Sequence, residues 1–417
     1  MNKKYDLVVV GGGLSGVAAA VSAARHGLSV MILEKGNCFG GAASNSLVQP
    51  FMLFRTREKN NEKLLCRGIF EEIGKELTKK NKFVTKGNDT FFHDEYLKIV
   101  LNRIVINSGV EILFHALVTD VITENSKITH VVVATGGDKL FIEANYFIDA
   151  TGNADIAYKS GCDFTLGRED GLCQPMTLCF RLVNVDTDKI NRHEINSLYK
   201  EKQSKEEITN PREDVLMFET LMDGVMHFNT TRIVKLNPTD IFDVTRAEIE
   251  AREQVYEIFE FLKGNFEAFE NSELIVTASE IGIRESRMIK GEYILMGEDL
   301  KDLTKFDDSI ALGNYELDIH NPEGTGTSHY FFKDNEYYSV PYRSLLPKEI
   351  KNLIVVGRCI SCNHEAQAAI RIMPIICCIG QAGGTAVAVA KESNMYLNEI
   401  DVNKLQKYLR EDGAVVD

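Results

Sequence analysis

Residues 7–34 read LVVVGGGLSGVAAAVSAARHGLSVMILE. The first apolar run predicts a buried strand, and the small residues after the glycines predict a closely packed helix. The second apolar run predicts another buried strand that ends at an acidic residue. Strand, glycine turn, helix and strand in this order predict a parallel βαβ unit at the start of an α/β domain.

The glycines of this segment have separate physical roles in a dinucleotide site. Gly11 allows a tight turn, Gly13 lets the backbone approach a pyrophosphate, and Gly16 lets the helix pack closely on the strand. The helix begins near Leu14 and Ser15, where unpaired N–H groups and the helix dipole favour a phosphate. The segment therefore predicts a pyrophosphate-binding turn.

Glu34 closes the second strand, where a carboxylate can accept hydrogen bonds from ribose hydroxyls. A second glycine-rich turn follows at residues 36–44. By itself the opening fingerprint is compatible with either NAD or FAD.

Composition limits the class of protein. A chain of 417 residues with 44% hydrophobic and 26% charged residues is long enough for two or three globular domains. The net charge of −14 argues against nucleic acid or an anionic membrane as a partner. No secretory signal or membrane span is expected, and nine cysteines, an odd number, favour reduced thiols and a cytoplasmic location.

The rest of the chain divides into two kinds of sequence. Apolar periodicity predicts helices over 62–80 and 94–108, a strand over 110–114, and a meander. The meander strands are expected at 117–123, 128–135 and 139–142. Short strands such as 176–183 and charged helices such as 240–263 then predict an inserted domain, and βα patterning returns near residue 352.

Six segments together form a recognisable pattern: Gly11–Gly16, Glu34, Gly40-Gly41, Ala150-Thr151-Gly152, Gly357-Arg358 and Gly380–Gly384. By these motifs the chain resembles FAD-binding flavoproteins of the glutathione-reductase superfamily. More narrowly, it is similar to the bacterial FAD-dependent oxidoreductase family, a relative of the succinate dehydrogenase and fumarate reductase flavoproteins.

The resemblance implies an α/β fold in two parts. A Rossmann-like FAD-binding domain with a β-meander would be discontinuous, over 1–165 and 346–417. An inserted α+β substrate or cap domain would occupy 166–345. The implied cofactor is FAD, bound non-covalently, and no metal site is expected.

The resemblance also implies a set of cofactor contacts. Those at the pyrophosphate, ribose and adenine would come from Gly11, Gly13, Leu14, Ser15, Gly16, Glu34, Lys35, Gly40, Gly41, Ser44 and Val118. Those along the FAD groove, the ribityl chain and the flavin would come from Ala150, Thr151, Gly152, Asp155, Gly357, Arg358, Gln381 and Gly384.

The last long helix has a physical argument of its own. Pro374 suits the first turn of a helix, which would then run to about Lys391. Its amino end would direct partial positive charge at the flavin edge where negative charge collects on reduction. The alternative is a buried Ala-rich helix that only packs on the sheet.

Residues 281–287 contain two arginines, Arg284 and Arg287, three positions apart. Two guanidinium groups could clamp a substrate carboxylate, and a Gly-x-Arg-Glu-x-Arg segment stands at this place in the resembled family. The alternative is a surface turn in which both arginines pair with Glu285.

Three histidines are candidates for acid–base chemistry. His320 and His329 precede the return of the chain toward the expected flavin region. His364 lies just before the last long helix and is the preferred candidate. The alternative for each is a loop residue that holds its neighbours in place.

The cysteines offer weaker candidates. Cys359 and Cys362 have the spacing of a redox or metal motif, but no second pair stands at zinc spacing. Cys38 lies in the second glycine turn, where a covalent flavin link is a remote alternative.

Together these features predict an FAD-dependent oxidoreductase that moves a hydride between flavin N5 and a small organic substrate, with a carboxylate as one candidate class. No second dinucleotide fingerprint occurs, so electrons would come from the substrate, an external reductase or acceptor, or transient nicotinamide. A flavin monooxygenase and an electron-transfer subunit of a larger complex remain alternatives.

Overall fold

The computed structural model describes residues 4–57 and 62–417. The helices are α1 (Leu14–Arg25), α2 (Ile69–Thr78), α3 (Asp94–Asn107), α4 (Asp155–Lys159), α5 (Arg192–Ser204), α6 (Ile241–Asn265), α7 (Gly297–Lys301), α8 (His364–Ile370), α9 (Met373–Ser393) and α10 (Val402–Glu411). The first strands are β1 (Lys4–Val10), β2 (Val30–Leu33), β3 (Phe83–Lys86), β4 (Asp89–Phe92), β5 (Glu111–Leu113), β6 (Leu117–Glu124), β7 (Lys127–Ala134), β8 (Lys139–Asp149), β9 (Phe164–Leu166) and β10 (Phe180–Val183). The remaining strands are β11 (Met217–Glu219), β12 (Met226–Phe228), β13 (Glu273–Thr277), β14 (Arg287–Ile289), β15 (Ser309–Gly313), β16 (Leu317–His320), β17 (Thr327–Tyr330), β18 (Tyr338–Pro341) and β19 (Leu353–Val355).

The main sheet has the order β5-β2-β1-β8-β7-β6, and β19 also pairs with β8. Strands β5, β2, β1, β8 and β19 are parallel, whereas β7 and β6 form the antiparallel meander. The carboxyl ends of the parallel strands meet at one edge, where α/β proteins bind their ligands. The predicted Rossmann-like α/β fold is confirmed.

Strand β8 joins the two parts of the sheet. Its first half pairs with β7, and its second half pairs with both β1 and β19. The predicted strand at 139–142 and the apolar run before Ala150 are therefore one strand of 11 residues.

Two predicted elements are shorter than expected. The helix predicted over 62–80 begins at Ile69, because Gly68 has a positive φ of 63° and the chain before it follows no helical path. The strand predicted over 176–183 is regular only from Phe180, while Met176 and Thr177 form single bridges to separate loops.

Helices α1 and α9 pack against each other through small residues. A Cβ added at Gly380 or Gly384 would lie 2.0 or 2.1 Å from a carbonyl oxygen of α1. The hydroxyls of Ser22 and Thr385 make a hydrogen bond of 2.8 Å across this contact. Glycine in these positions is therefore required by the helix–helix distance.

Buried side chains form separate cores. One core joins α1, α3 and α9 with side chains from residues 288–346, and a second lies on the meander face of the sheet. A third core is built from side chains of 176–281 together with Leu47. The predicted boundaries at 166 and 345 stay a prediction, although the third core covers a narrower range.

Helix α9 is the one helix of the described chain that is apolar and long enough to cross a membrane. Within its most apolar window 94% is buried against the rest of the protein. This burial is what the central helix of a folded domain shows.

Candidate active site

A cavity of about 990 Å³ follows the carboxyl edge of the sheet and continues toward the third core. One end is lined by the glycine turns after β1, β2 and β8, and we call it the cradle. The other end is lined by residues of 177–229, 280–284, 315–329 and 371–376, and we call it the substrate end.

The glycines after β1 shape the cradle by close approach. A Cβ at Gly16 would lie 1.9 Å from the Gly11 carbonyl oxygen, so Gly16 lies under the turn and does not line the cavity. Gly11 has φ of +106°, and a Cβ there would lie 2.3 Å from the Ala150 carbonyl oxygen. At Gly13 the nearest atom to an added Cβ is 4.0 Å away, so this face is open to the cavity.

Glu34 is buried beside the cradle. Its two carboxylate oxygens accept the N–H groups of Gly12 and Gly36, each at 2.6 Å. Each oxygen keeps a lone pair for a ribose hydroxyl, and Glu34 lines the cavity. Lys35 also lines it, with its ammonium 3.3 Å from Glu280.

The second glycine turn closes over the first. Gly40 donates its N–H to the Gly12 carbonyl oxygen at 2.9 Å, and a Cβ at Gly41 would lie 3.0 Å from the Gly13 Cα. Ser44 lies behind Gly40 and does not line the cavity. Its hydroxyl oxygen is buried with no hydrogen-bond partner among the described residues.

A buried carboxylate fixes the loop after β8. Asp149 accepts the N–H and hydroxyl of Thr151 at 3.0 and 2.7 Å, and the N–H groups of Ile156 and Ala157 at 2.8 and 3.0 Å. Burial raises the pKa of Asp149. These bonds hold residues 150–152 as one wall of the cradle.

A half-buried cation lies against this wall. Gly357 has a positive φ of 89°, and the Arg358 guanidinium lies against Gly152 and donates to Asn153 Oδ1 at 3.1 Å. Burial lowers the pKa of Arg358, and its Nε has no partner in the part of the chain that the structure describes. A half-buried cation without a carboxylate fits an anionic ligand.

These observations test the fit of FAD. The open face at Gly13, the carboxylate of Glu34 and the side chain of Arg358 all line one cavity. Val118 and Asp155 line the same cavity. The cradle therefore fits a dinucleotide with its pyrophosphate at the start of α1.

At the substrate end, Arg284 is half-buried, and no carboxylate among the described residues makes an ion pair with it. Its Nη1 donates to the Pro175 carbonyl oxygen at 2.6 Å and to the Thr177 hydroxyl, and its Nη2 lies 3.4 Å from Asn229 Oδ1. Burial, together with the charges of Arg371 and Arg212, lowers the pKa of Arg284 to about 9.

Arg287 does not join Arg284 in the cavity. Its Nη1 lies 3.0 Å from Asp155 Oδ1, and its guanidinium lies 4.2 Å from the centroid of the Tyr158 ring. Side chains alternate along an extended segment, so residues three apart point to opposite sides. The expected double clamp is corrected, because Arg371 and Arg212, and not Arg287, line the substrate end of the cavity with Arg284.

Asp318 is the centre of a polar cluster in this part of the cavity. Its Oδ2 accepts the Tyr315 hydroxyl at 3.1 Å and lies 3.3 Å from both Arg371 Nη2 and His320 Nε2. Burial alone would raise its pKa, but the bond from His320 and the nearby arginines hold the pKa of Asp318 well below its usual range. The group is therefore a carboxylate.

The two candidate histidines of this region differ. His320 Nδ1 accepts from Arg232 Nη2 at 3.0 Å, so its proton lies on Nε2 and faces Asp318. Burial and Arg284 lower the pKa of His320 to about 3, and both ring nitrogens are engaged. His329 is more exposed, lines the cavity, and has its Nδ1 3.7 Å from Asp318 Oδ1.

His364 lies behind the cavity wall and does not line it. Its Nδ1 lies 2.8 Å from Glu285 Oε1, and Gln367, on the next turn of α8, donates to the Arg284 carbonyl oxygen at 2.7 Å. Gln174 donates its N–H to Glu285 Oε2 at 2.8 Å. The expected place of His364 near the flavin ring is corrected to a support for residues 284–285.

Gln381 and Gly384 also lie away from the cavity. The Gln381 side chain accepts the Ile69 N–H at 2.9 Å, and Gly384 faces Ala19 of α1. The flavin-facing role implied for them is therefore corrected to packing of α9 against α1 and α2.

The nine cysteines are free and buried. Burial raises the pKa of Cys359 to about 12 and that of Cys362 well above its usual value, which disfavours reactive thiolates. Cys38 donates to Asn45 Oδ1 at 3.3 Å.

The sequence interpretation missed part of the substrate end. Arg212, Arg232, Thr177, Asn229 and Tyr315 were not singled out, and Asp318 was noted only beside His320. One local signal for these residues is present in the sequence. It is a charged segment that follows a proline, Asn210-Pro211-Arg212-Glu213-Asp214.

Comparison with known proteins agrees with the cofactor. The family model described as "FAD dependent oxidoreductase" matches residues 6–409. A thiamine thiazole synthase of Methanococcus aeolicus is 30% identical over 187 residues, which cover 42% of this chain and 64% of that protein. A vinyl phenol reductase of Lactiplantibacillus plantarum is 58% identical over 40 residues, 10% of this chain and 8% of that protein.

The chain thus covers less than two thirds of the length of these curated relatives. Among solved structures, an aromatic hydroxylase from angucycline biosynthesis is 12% identical, with a TM-score of 0.51. The match covers 99% of this chain and 66% of that one. This likeness concerns the fold alone.

Proposed function

The chain belongs to the FAD-dependent oxidoreductase family, and on that premise we propose that it transfers a hydride between FAD and a small organic carboxylate. When bound, FAD supplies hydride transfer at the N5 atom of its ring system. The kinship with the succinate dehydrogenase and fumarate reductase flavoproteins and a cytoplasmic location belong to this proposal. The second point rests on nine free cysteines.

The observation that carries the proposal is the charge of Arg284, whose half-buried side chain lines the cavity without a carboxylate partner. A guanidinium that is partly removed from water is stabilised by a counter-ion, and the described residues supply none in contact with it. Because Arg284 lines the same cavity as the cradle, a substrate carboxylate would supply the missing charge beside the cofactor.

The protein's own contribution is binding and orientation. Thr177 and Asn229 hold the guanidinium of Arg284, and Gln367 holds its main chain. Asp318 has its carboxylate engaged by three groups, whereas His329 keeps an exposed ring at the cavity. His329 is therefore our candidate for moving a proton to or from the substrate, through its ring nitrogens.

The proposal is tested on the FAD-loaded protein under anaerobic conditions. We expect a saturated or unsaturated monocarboxylate to bleach the oxidised flavin or to reoxidise the reduced one, and the matched amide to do neither. Arg284→Gln should raise the substrate KM at least about tenfold, because it removes a charged hydrogen bond. The variant should keep its FAD.

Other results would redirect the proposal. Substrate-dependent NAD(P)H oxidation that requires oxygen would indicate a monooxygenase. Lack of any response to acids, together with co-purification of a redox partner, would indicate an electron-transfer subunit. Equal reactivity of acids and amides would contradict the role of Arg284.

A further inference from the structure

The substrate end holds four arginines whose charges act on one another, and three carboxylates that contact them. The arginines are Arg212, Arg232, Arg284 and Arg371. The contacts are Arg212 with Asp214 at 3.0 Å, Arg232 with Glu213, and Arg371 with Asp318 at 3.3 Å. Glu213 also lies 3.9 Å from Arg212, so three carboxylates serve three arginines, and Arg284 contacts none of them.

Two of the three carboxylates have a shifted pKa that keeps them ionised. Hydrogen bonds and arginine charges outweigh burial and lower the pKa of both Glu213 and Asp318. His320, which lies among these groups, has its pKa lowered to about 3 by burial and therefore adds no charge at neutral pH. The three pairs cancel, and one positive charge remains.

The other charged groups that line the cavity do not alter this balance. Glu316 is paired with Arg57 at 3.1 Å, and Glu280 is paired with Lys35 at 3.3 Å. Asp89 lies outside the ranges that define the substrate end and makes no ion pair with these four arginines among the described residues, and burial and the neighbouring Glu316 raise its pKa. The ring of His329 faces Asp318, with its Nδ1 3.7 Å from Asp318 Oδ1.

Side chains that line the rest of this end are largely apolar. They are Leu216, Phe218, Ile283, Ile372, Met373 and Ile376. A ligand here would place its charged group at Arg284 and its remaining surface against hydrocarbon, which favours burial of an apolar body.

We infer that the substrate is a monoanion: a monocarboxylate with an apolar body, rather than a dicarboxylate. This inference rests on the proposed function and specifies its substrate class. A second carboxylate would enter a buried site whose remaining arginines are already neutralised, and an unpaired buried charge is strongly unfavourable. A neutral ligand would leave Arg284 uncompensated.

The test uses three probes of one shape: benzoate, terephthalate and benzamide, which carry one, two and no negative charges. Binding to the FAD-loaded protein is measured by calorimetry at about pH 8, where imidazole groups are ordinarily neutral. We expect benzoate to bind at least about tenfold more tightly than either of the others.

Variants change the charge balance in a predictable direction. Asp318→Asn removes one carboxylate and should raise terephthalate affinity relative to benzoate by about tenfold. Asp214→Asn removes the shorter of the two ion pairs of Arg212 and should act in the same direction, which keeps the test available if one variant folds poorly. Asp120→Asn, on exposed β6, is the matched control and should change neither affinity.

The possible failures are distinct. Tighter binding of terephthalate than of benzoate to the unmodified protein would overturn the monoanion and leave the proposed function standing. Equal binding of benzamide and benzoate would overturn the anion site itself, and with it the proposed function. Failure of benzoate to bind at millimolar concentration would overturn the inference as well.

Discussion

The two ends of the cavity hold their ligands by different means. The cradle is made mainly of main chain: glycines at close approach, helix N–H groups, and one carboxylate that is itself held by main-chain N–H groups. The substrate end is made of side chains whose charges are paired across separate parts of the chain. In the cradle, a side chain added at Gly11 or Gly16 would overlap with main-chain atoms. At the substrate end, a substitution that changes one charge would alter which ligand binds.

This difference follows from the ligands. A pyrophosphate needs several donors at short range, and main-chain N–H groups supply them where no side chain stands between. A small substrate is recognised by the position and sign of a few charges. Substitutions in the cradle should therefore abolish cofactor binding, and those at the substrate end should alter affinity while FAD remains.

The largest effect is expected at Gly16. In Gly16→Ala the new Cβ would lie 1.9 Å from the Gly11 carbonyl oxygen, so the first turn of α1 must move away from the pyrophosphate position. We expect FAD affinity to fall at least about 100-fold. The measurement is the amount of FAD bound per chain, from absorbance after dialysis.

Gly136→Ala is the matched control for this variant. Gly136 lies in an exposed turn, and an added Cβ would meet nothing within 4 Å. This control should bind FAD like the unmodified protein. Full FAD content in Gly16→Ala would show that the close approach at α1 does not support the cofactor.

The cradle could be predicted from the sequence because its parts are local. Residues 7–44 contain both glycine turns and Glu34. The glycines in these turns allow main-chain conformations and close approaches that a residue with a Cβ disfavours. The sheet followed from apolar runs, and the distant Gly357 followed from the return of βα patterning.

The substrate end could not be predicted in the same way. The charges of Arg212 and Asp318 act on Arg284 because the tertiary fold brings the three residues near one another. No spacing in the sequence indicates this. Arg287 is close to Arg284 in sequence, but its side chain contacts Asp155 on the other side of the segment. His364 contacts Glu285, because a polar residue at the start of a helix can face either side of a wall.

A second, smaller effect is expected at Gly384, and it tests whether this part of α9 belongs to the cradle. In Gly384→Ala the Cβ would lie 2.1 Å from the Ala19 carbonyl oxygen, so α9 must shift from α1. We expect the free energy of unfolding to fall by about 1–3 kcal/mol, as for other overpacked cores. The absorbance spectrum of bound FAD should stay unchanged, because Gly384 does not line the cavity.

Gly264→Ala, near the end of α6, is the control, since an added Cβ there would meet nothing within 4 Å. It should be neutral or stabilising by up to about 1 kcal/mol in urea unfolding. A shifted flavin spectrum in Gly384→Ala with unchanged stability would instead place Gly384 at the cofactor site.

The smallest effect concerns Glu285, which supports the substrate end from behind. Glu285→Ala leaves the ring of His364 and the N–H of Gln174 without their carboxylate, so the main chain at Arg284 loses one of its supports. We expect benzoate affinity to fall about tenfold while FAD affinity stays within about twofold. Glu285→Gln keeps an acceptor for the Gln174 N–H, and its benzoate affinity should fall less than about threefold.

Calorimetry with benzoate and FAD in parallel separates this positioning effect from a general loss of stability, which would lower both affinities and the Tm together. Unchanged benzoate binding in Glu285→Ala would mean that Thr177 and Asn229 suffice to hold Arg284, and the substrate end would then need no support from α8.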